Sequence, residues 1–228
     1  SFSGLGSSSA FTVGLINGLC KHKDLMFTKH KLATEAIRIE QDILKEKVGS
    51  QDQVFAAYVG LNRINFHKNG DIKVDNININ KTRLDELESS LLIFFTGITR
   101  RSQNIEKKKI DNMNNIETNL KKILNMVDEG YNILSGNSSL IRFGELLGKT
   151  WEEKKMLDES VSSPAIDGIY KKAIEAGAIS GKLLGAGGGG FLLLFVPQDR
   201  KQKVREKLNG YHEISFKFEN HGSQVIHN

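Results

Sequence analysis

The chain has 228 residues, 39% hydrophobic and 26% charged, the mixture of a folded globular protein, which excludes disordered, collagen-like and fibrous classes. Lys and Arg number 32 against 27 Asp and Glu, a net charge of +5; this mild, scattered excess, without interleaved basic and aromatic motifs, argues against a nucleic-acid partner and suits phosphorylated small molecules. Cys20 is the sole cysteine, no apolar run reaches the roughly 18 residues that span a bilayer, and no signal-peptide pattern is present, so the expected compartment is a reducing cytoplasm without disulfides or membrane attachment.

The length suits two domains. A glycine-serine loop, Ser3 to Ser7, feeds a helix to about Leu19 whose apolar residues cover most of the circumference and predict burial on several sides. A second helix is predicted from about Lys31 to Lys47, and GSQDQVFAAYVG opens a third. LNRINFHKNGDIKVDNINI follows, alternating segments around a Lys68-Asn69-Gly70-Asp71 turn, which is a hairpin signal. A polar stretch from Asn80 to Glu88 suggests a boundary, giving expected domains 1–85 and 86–228.

LLIFFTG, Leu91 to Gly97, reads as a buried strand, followed by a long charged helix from Arg101 to about Ser135, with Lys107, Lys108 and Lys109 on a solvated face. Another helix runs from Leu140 to about Glu159. The next has strong start signals, Ser163 as N-cap, Pro164 in the first position and Asp167 in the first turn, and Gly177 near its end. GKLLGAGGGGFLLLFVP, a short helix from about Asp199 to Leu208 and a strand near Tyr211 to Phe218 complete the chain. Strands and helices mix without regular alternation, so the fold class is α+β. There is no internal repeat.

Three features carry chemistry. GLGSSSA, Gly4 to Ala10, sets a glycine-rich turn at a helix N-terminus, where free N–H groups and the helix dipole favour phosphate, although a serine-capped turn has the same composition. It lacks the Lys of a Walker A loop. Second, at about 100° per residue Leu32, Ala33, Ala36, Ile37, Ile39, Ile43 and Leu44 form one apolar stripe, and Glu40 falls within it. An inward carboxylate needs either a bound cation or an Arg or Lys partner; Glu35 and Asp42 lie on the flank and opposite face. Asp52 follows twelve residues later at a loop-to-helix junction, a place for a first-turn helix residue or for a base. Third, GAGGGG, Gly185 to Gly190, satisfies G-x-G-x-x-G but precedes a strand where a dinucleotide fold needs a helix. It suits either close approach to a ligand or a tight turn in a packed sheet.

In order, GLGSSSA, Glu40, Asp52 in GSQDQ, and GAGGGG resemble the kinase family named for its galacto-, homoserine, mevalonate and phosphomevalonate members (GHMP). The segments SGLGSSSAFTVGLINGL, IEQDILKEKVGSQDQVFAAYVGLN, FFTGITRRSQ and GAISGKLLGAGGGGFLLLFVP are most similar to the branch that phosphorylates the anomeric hydroxyl of a seven-carbon sugar phosphate; sugar 1-kinases of the fucose or galactose type and a non-catalytic relative are the alternatives. The resemblance implies an N-terminal α/β domain of the ribosomal protein S5 domain 2-like type and a ferredoxin-like C-terminal domain. It also implies ATP and Mg²⁺ as cofactors and a sugar or sugar phosphate as substrate, and leaves the oligomeric state open.

On the same basis Gly4, Leu5, Gly6, Ser7, Ser8 and Ser9 hold the ATP phosphates, with Gly185, Gly187 and Gly188 also at the nucleotide. Ser8 and Glu40 bind Mg²⁺, Asp52 takes the proton of the sugar hydroxyl, and Arg100 and Lys182 are candidate anion contacts. Family members carry strands before the phosphate loop that this chain lacks, so these residues are expected to be the C-terminal two-thirds or so of a longer enzyme and inactive alone. ATP-dependent turnover of a heptose phosphate by a polypeptide of only these 228 residues would overturn that expectation.

Overall fold

A computed structural model describes residues 5–99 and 113–226, and contacts divide the chain into two compact units, Gly6–Asn76 with the segment from Phe218 onward, and Ile77–Lys217. The first unit holds α1 (Ser7–His22), α2 (Lys29–Arg38), a π-helical turn (Ile39–Ile43), α3 (Gln51–Tyr58) and an antiparallel hairpin of β1 (Asn62–Phe66) and β2 (Ile72–Asn76). Its core joins Val13, Ile16 and Cys20 of α1 to Leu32, Ala33 and Ala36 of α2 and Val54 and Ala57 of α3, with Ile64, Ile72 and Val74 of the hairpin packed against them. The hairpin turns where Gly and Asn predict it: His67 N–H donates to Asp71 O at 2.9 Å and Asp71 N–H to Asn69 Oδ1 at 3.1 Å. The last segment returns to α1, where Asn17 Nδ2 donates to Ser223 O and Ser223 Oγ, both at 3.0 Å.

Two expectations for this unit are corrected. Helix α1 buries one stripe, Ser9, Val13, Ile16 and Cys20, and leaves Phe11, Leu15 and Leu19 on the opposite face exposed, Phe11 by 70%. Helix α2 stops at Arg38 instead of reaching Lys47, because the chain widens into the π-turn, closed by Leu44 N–H donating to Ile39 O at 2.9 Å. A wider turn advances fewer degrees per residue, so the stripe loses phase after Glu40, and Ile43 and Leu44 face outward.

The second unit carries α4 (Lys81–Ser89), β3 (Leu91–Phe95), α5 (Met113–Ser135), α6 (Leu140–Lys155), a 3₁₀ turn (Glu159–Val161), α7 (Pro164–Glu175), β4 (Ser180–Leu183), β5 (Phe191–Phe195), a 3₁₀ turn (Gln198–Arg200), α8 (Lys201–Lys207) and β6 (His212–Glu213). The four strands form an antiparallel sheet in the order β4-β5-β3-β6. Within the unit that order is second, third, first, fourth, which is the ferredoxin-like arrangement expected. The mixed helices and antiparallel strands bear out the α+β class.

LLIFF is buried as its composition predicts, and Phe94, Leu192 and Leu194 share one core with Trp151, Val161, Ile166, Ile169, Leu183, Val204 and Leu208. Burying each such large apolar side chain contributes about 1.5–3 kcal/mol. Helix α7 starts at its predicted cap, Ile166 N–H donating to Ser163 Oγ at 3.4 Å. Helix α6 ends at Lys155, short of Glu159, since Asp158 Oδ1 takes the Ser160 N–H at 2.8 Å and nucleates the 3₁₀ turn. The terminal strand is short, His212 and Glu213 opposite Phe95 and Phe94 with Ile214 N–H donating to Ile93 O at 2.8 Å, rather than running from Tyr211 to Phe218. Residues 101–112, the start of the predicted long helix with its three lysines, lie outside the described residues.

Helix α6 lies on the sheet through a glycine. A Cβ at Gly144 would sit 2.6 Å from Phe195 Cδ1, and Ser180 Oγ donates to Gly144 O. Gly144→Ala should therefore destabilise the protein by about 1–3 kcal/mol, although alanine favours a helix by about 1 kcal/mol. Gly168→Ala, on α7 with open space at the Cβ position, should stabilise by about 0.5–1 kcal/mol. Denaturant midpoints of the two variants, moving in opposite directions from the parent, check this.

Candidate functional site

Helix α1 begins at Gly6, which takes the left-handed conformation (φ 66°) and lets Ala10 N–H donate to Gly6 O at 2.9 Å. No side chain caps this end and no acidic residue lies in its first turn, so the N-cap is glycine and not one of the serines. Helix α1 thus supplies no carboxylate to its own positive end. Ser7 and Ser8 are exposed and Ser9 is buried; Gly4 lies outside the described residues.

Gly6 also stands close to Asp52: a Cβ there would lie 3.1 Å from Asp52 Oδ2 and 3.3 Å from Asp52 Cβ, so that side chain would have to give by a few tenths of an ångström. The glycine thus brings the start of α1 against the first turn of α3, where Asp52 is the second residue and is solvent-exposed. Two of the sequence-predicted elements, 46 residues apart, therefore meet at one point.

Glu40 is 1% exposed. Its Oε2 accepts from Ser9 Oγ at 3.0 Å and from Gln53 Nε2 at 2.5 Å, whereas its Oε1, equally buried, has no partner. The arginine one turn-fraction away is already engaged: Arg38 donates to Glu35 Oε1 from Nη2 at 2.5 Å and from Nε at 3.0 Å, and this bond holds the Glu35 carboxyl below its usual range. Neutral donors, and no Lys or Arg among the described residues, surround Glu40. Of the two remedies open to an inward carboxylate, the cation is the one this geometry leaves available.

The donor set suits Mg²⁺. Among the described residues there is no cluster of three or more His, Cys, Asp or Glu, which a structural zinc site would need, while Mg²⁺ takes one or two carboxylates and completes its shell with water and phosphate. The π-turn sets the arrangement locally: Gln41, next to Glu40, donates from Nε2 to Val48 O at 3.0 Å and Ser50 Oγ at 3.1 Å, tying the turn to the loop that enters α3.

Gln53 was not singled out by the sequence, yet it is fully buried and its Oε1 lacks a partner. A signal existed, because Gln53 shares the inward face of α3 with Val54 and Ala57. The serine bonded to Glu40 is Ser9 and not Ser8, whose side chain is exposed.

Gly185, Gly187, Gly188 and Lys182 lie in the second unit, with which Leu5 is also grouped, whereas Gly6, Ser7, Ser8, Ser9, Glu40 and Asp52 lie in the first. The glycine segment there is closely packed: Gly188 N–H donates to Val161 O at 2.8 Å, Gly190 N–H to Ile98 O at 2.7 Å, and a Cβ at Gly187 would fall 2.8 Å from Val161 O. Lys154 Nζ donates to Gly185 O at 2.5 Å, a contact with no sequence signal beyond a cation near the end of α6. Lys182 sits in β4 opposite Leu193; Arg100 lies outside the described residues.

Comparison with known proteins gives a consistent pattern. Models described as GHMP kinases N terminal domain and GHMP kinases C terminal match residues 1–60 and 132–213. The D-glycero-alpha-D-manno-heptose 7-phosphate kinase of Campylobacter jejuni is 35% identical over 217 residues, 92% of this chain and 63% of that protein. The L-fucokinase/L-fucose-1-P guanylyltransferase of Bacteroides fragilis is 31% identical, over 89% of this chain and 22% of that protein. A solved D-glycero-D-manno-heptose 1-phosphate kinase from Bacteroides thetaiotaomicron superposes with a TM-score of 0.66 at 28% identity, over 97% of this chain and 63% of that one. The chain thus spans a little under two thirds of the heptose kinases it matches. Among the described residues no helix is long and apolar enough to cross a membrane.

The unpartnered oxygens of Glu40 and Gln53 make a stability prediction. Glu40→Gln supplies an amide that can donate to Gln53 Oε1, so in metal-free buffer the variant should be more stable than the parent by about 1–3 kcal/mol. A lower unfolding midpoint in that buffer would mean that the carboxylate is already compensated within the chain.

Proposed function

The chain belongs to the GHMP kinase family, and on that premise we propose that it transfers the γ-phosphoryl group of ATP, with Mg²⁺, to the anomeric hydroxyl of a D-glycero-D-manno-heptose 7-phosphate. The observation that carries the reading is the meeting of Gly6 with Asp52 beside a buried Glu40 that has one oxygen left over. The glycine-started N-terminus of α1 and the backbone from Gly4 to Ser9 hold the phosphates. Glu40 and Ser8 are assigned to Mg²⁺, and Gly185, Gly187 and Gly188 to nucleotide contact. Mg²⁺, when bound, would neutralise charge on the transferred phosphoryl group.

Asp52 stands at the phosphate end of the site and accepts the hydroxyl proton as the sugar oxygen forms its bond to phosphorus and the β–γ bridge bond breaks, leaving ADP. Most of the remaining rate comes from holding the hydroxyl in line with that bond. Residues 1–85 are assigned to the ATP- and metal-binding domain and 86–228 to the C-terminal domain, which the matches to 1–60 and 132–213 support. A phosphorylated sugar substrate fits a cytoplasmic enzyme.

The heptose phosphate is favoured by the 35% identity to a heptose 7-phosphate kinase. The 31% identity to a fucokinase keeps a fucose 1-kinase as the second reading.

Steady-state assays of ADP release, in the protein as its gene encodes it, separate the two. Heptose 7-phosphate should exceed fucose and galactose in kcat/KM by about two orders of magnitude or more, and a preference for fucose transfers the assignment to the second reading. Asp52→Ala should lower kcat by about 10²–10⁴-fold with ATP affinity within a few-fold of the parent. A large loss of ATP binding instead removes Asp52 from the base role. Glu40→Gln should raise the Mg²⁺ concentration needed for half-maximal rate, and unchanged metal dependence counts against Glu40 as a ligand.

A further inference from the structure

Resting on the metal reading of Glu40, we propose that Gln53 is a positioning residue of that site: with Ser9 it holds Glu40 Oε2 and so commits Oε1 to the cation. The hydrogen bonds are directional. Ser9 Oγ at 3.0 Å and Gln53 Nε2 at 2.5 Å both donate to the same oxygen, and Glu40 and Gln53 are both buried. Reversing the Gln53 amide would press its Oε1 against Glu40 Oε2, two acceptors with no proton between them, so the carboxylate fixes the amide's orientation. The serine has a single hydroxyl proton, and it is spent on Glu40.

What remains is two acceptors, Glu40 Oε1 and Gln53 Oε1, without donors. They belong to side chains that already touch, and neither can satisfy the other. A pair kept only for packing would leave both desolvated and unpaired, a penalty that apolar side chains at both positions would avoid. The arrangement is accounted for if something electropositive, a cation with its water shell, completes it. Three separate elements build the clamp: Ser9 is third in α1, Glu40 second in the π-turn and Gln53 third in α3. Ser9 and Gln53 therefore hold the Glu40 carboxylate from two different helices.

The test is Mn²⁺ affinity by electron paramagnetic resonance, with a non-hydrolysable ATP analogue, in the protein as its gene encodes it. Parent, Gln53→Met, Glu40→Gln and the double variant are compared, with metal-free melting curves as a folding check. Gln53→Met should weaken Mn²⁺ binding about 10-fold or more, as loss of a residue that orients a metal ligand does. In the Glu40→Gln background the same change should add less than about 2-fold, because its effect passes through the carboxylate. Undiminished affinity in Gln53→Met beside weakened Glu40→Gln overturns this inference alone, as do equal losses in both backgrounds. Undiminished affinity in Glu40→Gln overturns the metal reading of Glu40 itself. If Gln53→Met fails to fold, Gln53→Asn, whose amide falls short of the carboxylate, is read by the same criteria.

Discussion

The first unit is organised around a buried carboxylate that has too few partners. Glu40 is enclosed by α1, α3 and the end of α2, yet it receives two hydrogen bonds on one oxygen and none on the other. Buried carboxylates are tolerated when paired, and this one is paired only by neutral groups. The two helix N-termini, Gly6 of α1 and the first turn of α3 with Asp52, meet at one point, and positive dipole ends of this kind favour an anion. The core of Val13, Ala36 and Val54 holds those three elements together, so the apolar packing of the unit and its chemistry share a scaffold.

The π-turn is the local device that permits this. An uninterrupted α2 would have carried Ile43 and Leu44 inward along with Glu40; the widened turn keeps the glutamate in and releases the two apolar residues outward. Gln41 then ties the exit of the turn to the loop before α3, which sets where Asp52 and Gln53 begin. In the second unit the glycine segment follows a different logic. Its backbone is pressed against Val161 and Ile98, so glycine is demanded there by packing inside the unit, independently of any nucleotide contact.

Membership of the GHMP kinase family joins these units to one architecture. The ferredoxin-like strand order of the second unit arises from ordinary causes: LLIFF is apolar enough to be central, FLLLFV pairs beside it, and the short edges at β4 and β6 close the sheet. Glycine on α6 lets that helix approach the sheet closely. The heptose substrate proposed above, by contrast, rests on likeness to heptose kinases.

Local patterns in the sequence determined what depends on neighbours within one element. Ser163-Pro164 starts α7, Gly70 and Asn69 turn the hairpin, LLIFF is buried, and Glu40 points inward, because capping, turn chemistry and periodicity act over a few residues. Only the tertiary structure decided that Ser9 rather than Ser8 meets Glu40, that Gln53 donates to the same oxygen, that Gly6 lies against Asp52, and that Phe11, Leu15 and Leu19 stay exposed. The Ser9 and Gln53 bonds to Glu40 bridge 31 and 13 positions of sequence and join different elements. Which side chains meet across such distances is set by how the helices pack, and no period along a single helix encodes it.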